Sequence, residues 1–328
     1  MKKFSYLMGI GILCCIFSVS CSKDGDGTGG EGTGIGKYPA DVKGTIYYDW
    51  ATEGILQISL PDGTGGTFLP SDSKRNNVDV SRDGKLKLTA VNASTIGNYK
   101  VKFTLSNMAD GSIVEQFDYT SPEGNSYCQG YLSPDNSLIM VTSKDYNDGI
   151  TILKRNGEFV TRLLDIEGER LDVFNMSSLW LPGNALLITH NKYIIRLDPP
   201  YTSGKGIKEM NYEEWGKVAV NQAGNQLALQ IGNHIHTMNI DGSDLKQVTT
   251  SNFTESNPVF SPDGAYLLVG TYYRSSGTLG HLWEMRIIPN DGKQYVVNPS
   301  ESNTPGVIPV IWKDKDRIES GGGQMLWR

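Results

Sequence analysis

Four histidines carry most of the metal-binding chemistry that this chain offers. His234 and His236 stand two residues apart, and on an extended strand that spacing puts both imidazoles on one face, where they could converge on one ion. His190 and His281 fall near corresponding inter-strand turns of neighbouring segments. A packing role competes, because His236 occupies the place that Leu56 and Trp283 hold in other segments, which marks a half-buried position. Two acidic pairs, Glu213-Glu214 and Asp165 with Glu167, have the residue types of a glycosidase pair, but nothing in the sequence fixes the separation which that chemistry requires. There is no G-x-S-x-G nucleophile elbow, and Gly204-Lys205 lacks the earlier glycine and the following hydroxyl of a phosphate loop. No catalytic residue and no cofactor are expected, and the four histidines form the ligand set only of a rival, metal-dependent reading.

The elements that must position these residues are short strands. In Asn257-Pro258-Val259-Phe260-Ser261-Pro262-Asp263-Gly264-Ala265-Tyr266-Leu267-Leu268-Val269-Gly270, apolar runs flank a Ser-Pro-Asp-Gly turn. Proline sets φ and glycine accepts the positive φ of the reversal, so the stretch predicts a β-hairpin. Comparable hairpins are predicted at 78–84, 131–136, 179–184, 219–224 and 310–315. Between them runs a second set, marked by Asp62-Gly63, Asp110-Gly111, Asn156-Gly157, Asp241-Gly242 and Asp291-Gly292, with Thr202-Ser203-Gly204-Lys205-Gly206 in the remaining place. The first-type turns recur roughly every 40 to 52 residues, the length of a four-stranded propeller blade. The expected fold is all-β, a six-bladed propeller with seven blades as the alternative. Its closing blade would take inner strands from the C-terminal hairpin at 310–315 and outer strands from the N-terminus. The segments 45–48 and 324–327 are then surplus, and either widen that blade or build a seventh.

These hairpins, each followed by a strand ending in Asp-Gly, resemble the TolB-type β-propeller repeat. The clearest copy is 257–297, and others start near Val78, Tyr131 and Val218, although most of the six turns depart from the pattern at proline or glycine. The resemblance implies the fold far more specifically than a function, since such propellers serve as binding scaffolds, as parts of peptidases and as lyases. Some of the lyases act on oligogalacturonides with histidines around a metal, which is what the rival reading would require of His190, His234, His236 and His281.

In a propeller the turns within both hairpin types gather on one face, and the connections between hairpins gather on the other. Here the connections are longer, and binding residues favour variable loops on a rigid frame. Tyr146, Tyr212, Trp215, Tyr272, Tyr273 and Arg274 all fall in them, with rings suited to a protein or a glycan ligand. Trp180 and Trp312 fall inside first-type hairpins and are assigned to the core.

The N-terminus reads as an address. Lys2 and Lys3 precede an apolar run ending at Val19, too short to span a bilayer, and Ser18 and Ser20 stand before Cys21. Residues 1–20 are expected to be a signal peptide and Cys21 a lipidated N-terminus resembling that of a Bacteroidetes lipoprotein. Residues 21–37 are a glycine-rich tether and 38–328 the propeller. The expected location is the bacterial outer membrane, lipid-anchored, on its periplasmic or cell-surface side. Cys128 is the one cysteine left after the signal and lipid site, so no internal disulfide is available. The formal charge of −6 falls to about −8 without Lys2 and Lys3, and no basic run remains, which argues against nucleic acid. The expected function is a non-catalytic, protein- or glycan-binding scaffold on the membrane. The alternatives are a metal-dependent polysaccharide lyase or hydrolase, and a structural subunit of an envelope complex.

Overall fold

The computed structural model describes residues 38–50, 52–143, 148–172, 176–275, 280–299 and 304–328. Cys21, the signal peptide and the tether lie outside them, as does Tyr146. Six antiparallel sheets form the blades of a six-bladed β-propeller. Blade 2 shows the plan, running outwards from the axis through Arg75–Val80, Leu86–Asn92, Val101–Asn107 and Ile113–Tyr119. Blades 3, 4 and 5 repeat it over 128–163, 178–209 and 215–247. Blade 6 consists of Ser256–Phe260, Tyr266–Ser275, His281–Pro289 and an outer strand in two pieces, Ile308–Pro309 and Ser320–Gly321.

The inner turns form for a reason visible in the side chains. Ser81, Ser133 and Ser261 each donate to the aspartate two residues on, at 2.6, 2.7 and 2.6 Å. Each hydroxyl also accepts the backbone N–H that opens the next strand, from Leu86, Leu138 and Tyr266, all at 2.9 Å. One serine thus satisfies the donor left over by the reversal and orients the turn aspartate. In blade 5 Asn221 does the same work, its carbonyl accepting from Asn225 and Gln226.

Ring closure differs in detail from the sequence expectation. Blade 1 is shared by the two ends of the chain, but its only C-terminal strand is the innermost one, Met325–Trp327, which pairs with Gly44–Trp50; Gly54–Leu60 and Thr64–Pro70 complete it. The segments that looked surplus are therefore strands of this blade, and no seventh blade forms among the described residues. The residues 310–315 are no inner hairpin. They leave the outer strand of blade 6 as an excursion, and Trp312 lies flat on Gly65 of blade 1, donating its indole N–H to the Tyr48 hydroxyl at 2.8 Å. Lys313 N–H reaches Gly63 O at 2.9 Å. A strand at the axis needs no partner on its inner edge, so a single short C-terminal strand suffices to close the ring, and the excursion clamps it from outside.

The core is divided among the blades. Among the described residues there are six apolar clusters, one at each interface between neighbouring blades, and the one joining blades 6 and 1 holds Trp327, Tyr48, Leu56, Trp283 and Val310. Trp180 is buried as expected, donating its indole N–H to Tyr131 O of the preceding blade at 2.9 Å, and Cys128 is buried too.

Candidate functional site

The tight Asp-Gly and Ser-x-Asp turns share one face, and the longer connections share the other. Tyr38 and Lys43, at the start of the described chain, belong to the tight-turn face. The Tyr38 hydroxyl bonds Ile311, and Lys43 O accepts from Trp327.

On the loop-rich face the expected aromatic set divides. Tyr212 is exposed. Trp215 is half-buried, begins the strand Trp215–Val220 and packs into the cluster between blades 4 and 5, which makes it a packing residue. Tyr272, Tyr273 and Arg274 do not sit in an irregular loop. They lie in an extension of the strand Tyr266–Ser275, where a bulge between Thr271 and Arg274 shifts the register. Tyr273 stacks against His281 and Trp283 at centroid distances of 5.0 and 5.6 Å, so its ring is engaged locally. Tyr272 points outward with φ +55°, a left-handed conformation uncommon for a bulky residue. The Phe253 ring meets its edge at 5.3 Å, and the Arg274 guanidinium covers one face at 4.2 Å.

Sequence reasoning missed three further tyrosines on this face. Tyr99, Tyr127 and Tyr193 are exposed there as Tyr212 and Tyr272 are, while the described tyrosines elsewhere are buried or half-buried. Their position directly beside inter-hairpin connections was the available signal.

The histidines do not converge. His234 Nδ1–H donates at 2.6 Å to Glu255, which is fully buried and also accepts from Thr249 and Ser251 hydroxyls. Burial pushes the Glu255 carboxyl up, against hydrogen bonds from Ser251 and His234. His236 turns its Nδ1 to the His234 carbonyl at 3.2 Å, and burial lowers its pKa. His190 lies 3.6 Å from Glu169 on blade 4, and His281 is stacked on Tyr273 in blade 6. No three His, Cys, Asp or Glu side chains gather to hold a metal among the described residues. The acidic pairs are equally spread: Asp165 and Glu167 belong to the small hairpin Asp165–Ile166 and Glu169–Arg170, while Glu213 and Glu214 precede blade 5.

The central channel holds a cavity of about 400 Å³ lined by the innermost strands of all six blades. Arg82, from the inner turn of blade 2, crosses the axis and donates to Trp180 O of blade 4 at 2.6 Å and to Gln222 O of blade 5 at 3.0 Å. Blades 2 and 5 stand opposite each other in the ring, so this contact bridges the channel at the tight-turn end. Arg328 sits beside it, donating to Val80 O at 2.7 Å and toward Asp79 at 3.4 Å. Asp79 also accepts Leu132 N–H at 2.8 Å, and burial raises its pKa against the pull of Arg328. The other end lies among Met176, Ser177, Lys217, Asn257 and Gly323, on the loop-rich side.

The molecule is thus a six-bladed propeller with a channel bridged by Arg82 at one end and an aromatic-rich loop face at the other. Its fold is that of TolB-type β-propeller proteins. The solved TolB from Acinetobacter baumannii superposes with a TM-score of 0.60 at 17% identity, over 90% of this chain and 68% of that one. A putative TolB from Agrobacterium tumefaciens gives 0.54 at 14% identity, over 77% and 87%. An oligogalacturonate lyase from Vibrio parahaemolyticus, at a TM-score of 0.45 and 11% identity, is too distant to bear on this chain. No protein-family model and no curated relative matches the sequence.

Proposed function

We propose that this protein is a lipid-anchored propeller of the bacterial envelope that binds a protein or glycan ligand through its loop-rich face and acts as a non-catalytic scaffold. The observation that carries this reading is the placement of the exposed tyrosines. Tyr99, Tyr127, Tyr193, Tyr212 and Tyr272 all stand on that one face. Tyrosine offers a large, stiff contact area with a polar tip, at low cost in side-chain entropy. The signal and Cys21 support the anchor.

The test is capture of envelope proteins, together with a glycan array, using the full mature protein. The double variant Tyr272→Ala/Arg274→Ala removes the exposed ring and its guanidinium and leaves the Tyr273 stack in place. Loss of a captured ligand in this variant, or in Tyr99→Ala/Tyr127→Ala, supports the reading. Capture indifferent to every loop-face variant would sink it. Metabolic labelling with a fatty acid, lost in Cys21→Ser, tests the anchor.

A further inference from the structure

Arg82 stands where two other inner turns of the repeat carry proline, Pro134 and Pro262, and its side chain is turned onto the ring axis. Its guanidinium is half-buried and is held by two backbone carbonyls; it forms an ion pair with no described residue. Asp79 offsets part of its charge, but that carboxylate is already engaged by Arg328 and the Leu132 N–H. Burial and the neighbouring Arg328 together bring the Arg82 pKa down to about 10, a sign of how poorly this cation is compensated. A charge taken out of water without a paired counter-charge is unfavourable, and an anion placed above it would relieve the cost.

At the other end of the chamber three inner strands depart from regular geometry, that of blade 2 between Arg75 and Asn77 and two others at matching places. Blade 5 shifts register between Gly216 and Ala219, and blade 6 between Ser256 and Val259. Within these bulges Lys217 and Asn257 take the left-handed conformation, with φ +49° and +51°, and both line the chamber. A bulge re-aims a side chain, and non-glycine residues held at positive φ concentrate at ligand sites because their strain has to be maintained by the surrounding fold. The chamber volume of about 400 Å³ is within the range that holds small organic ligands.

We propose that the central channel is a binding chamber for a small carboxylate-bearing molecule, which enters from the loop-rich face past Lys217 and Asn257 and sets its carboxylate toward Arg82. This site is separate from the tyrosine face and does not depend on it. Arg328 engages the one carboxylate side chain in the lining, that of Asp79, which leaves the guanidinium of Arg82 as the charge that meets an entering anion.

Isothermal titration of the full mature protein in detergent tests the proposal, with glucuronate, succinate and glucose as separate probes. Binding of at least one carboxylate, about tenfold or more tighter than glucose, is expected. Preference for glucuronate identifies a sugar acid as the ligand class, and preference for succinate a dicarboxylate. Arg82→Gln should weaken binding about tenfold or more, and Arg82→Lys, which keeps the charge, should restore most of it. Because Arg82 also bridges blades, Met176→Trp provides a second variant, filling the mouth without touching Arg82, and it should abolish binding. Glucose binding as tightly as the acids, a folded Arg82→Gln or Met176→Trp protein with unchanged affinity, or no binding of either acid at about 10 mM would each overturn the proposal. None of these outcomes alters the expectation for the Tyr272→Ala/Arg274→Ala variant.

Discussion

Replacing Gly65 by alanine should unseat Trp312 and loosen the clamp between blades 6 and 1. A Cβ built on Gly65 would lie 1.8 Å from Trp312 Cδ2 and 2.2 Å from Cε2, far inside van der Waals contact. The ring cannot slide away cheaply, since its N–H is bonded to Tyr48 and the Lys315 ammonium sits over its face at 3.4 Å. Overpacking of this kind costs about 1 to 3 kcal/mol. Removing the ring in Trp312→Ala should cost about 3 kcal/mol, the low end for tryptophan because it is only partly buried. Gly66 is the control, being the next residue on the same strand with nothing within 4 Å of a built Cβ. Gly66→Ala should be neutral or slightly stabilising, as alanine gives up less chain entropy than glycine. The decisive measurement is a double-mutant cycle on the urea midpoint, followed by far-UV circular dichroism. In a Trp312→Ala background, Gly65→Ala should lose its penalty, giving a coupling of at least about 1 kcal/mol. Equal effects of Gly65→Ala and Gly66→Ala, or a penalty that persists without Trp312, would refute the clamp.

Three further expectations follow from the same contacts. Asp135 is brought down to about 2: partial burial alone would raise it, and hydrogen bonds from Ser133, Ser137 and Asn184 prevail. A depressed carboxylate stabilises the fold above its ordinary value and ceases to do so as pH falls through its folded value. The advantage of wild type over Asp135→Asn should therefore be full above about pH 4 and vanish toward pH 2, read as the difference in urea midpoint across that window. Trp327 is fully buried in the innermost strand of the closing blade and bonded to Lys43 O at 2.9 Å, so Trp327→Ala should cost about 3 to 5 kcal/mol and lower the melting temperature accordingly. At Tyr272, where φ is +55°, glycine should be more stable than alanine by about 1 kcal/mol in thermal melts, the reverse of the order found in a regular strand.

Much of the frame was legible in the order of residues because each hairpin is a local event. The serine, proline, aspartate and glycine of the inner turns, and the Asp-Gly of the outer ones, bond within five residues of themselves, as Ser261 with Asp263 and Tyr266 shows. Five of the six units counted this way are inner hairpins of the structure; the sixth, 310–315, is not, so the expectation of six blades and of a ring joined at its two ends held with different closing strands. The loop-rich face could be named for the same reason, since strand direction alone decides which turns share a side.

What the sequence left open depends on contacts between residues far apart in the chain. Val310, Ile311 and Trp312 have the apolar pattern of an inner strand, yet the axis position went to Met325–Trp327, because only there can the C-terminus pair with Gly44–Trp50 while Trp312 covers Gly65. His234 and His236 have the spacing of a metal pair, but a buried carboxylate from the next blade holds one and the strand's own carbonyl holds the other. Arg82 departs from the repeat by a single residue, and nothing local says which way its side chain turns. Its partners, Trp180 O and Gln222 O, lie 98 and 140 residues away and meet it only once the ring has closed. Local turn chemistry therefore determined the repeating hairpins, whereas the closed ring, by pairing the two chain ends and bringing opposite blades within hydrogen-bond reach across the axis, decided the closing blade and what the channel contains.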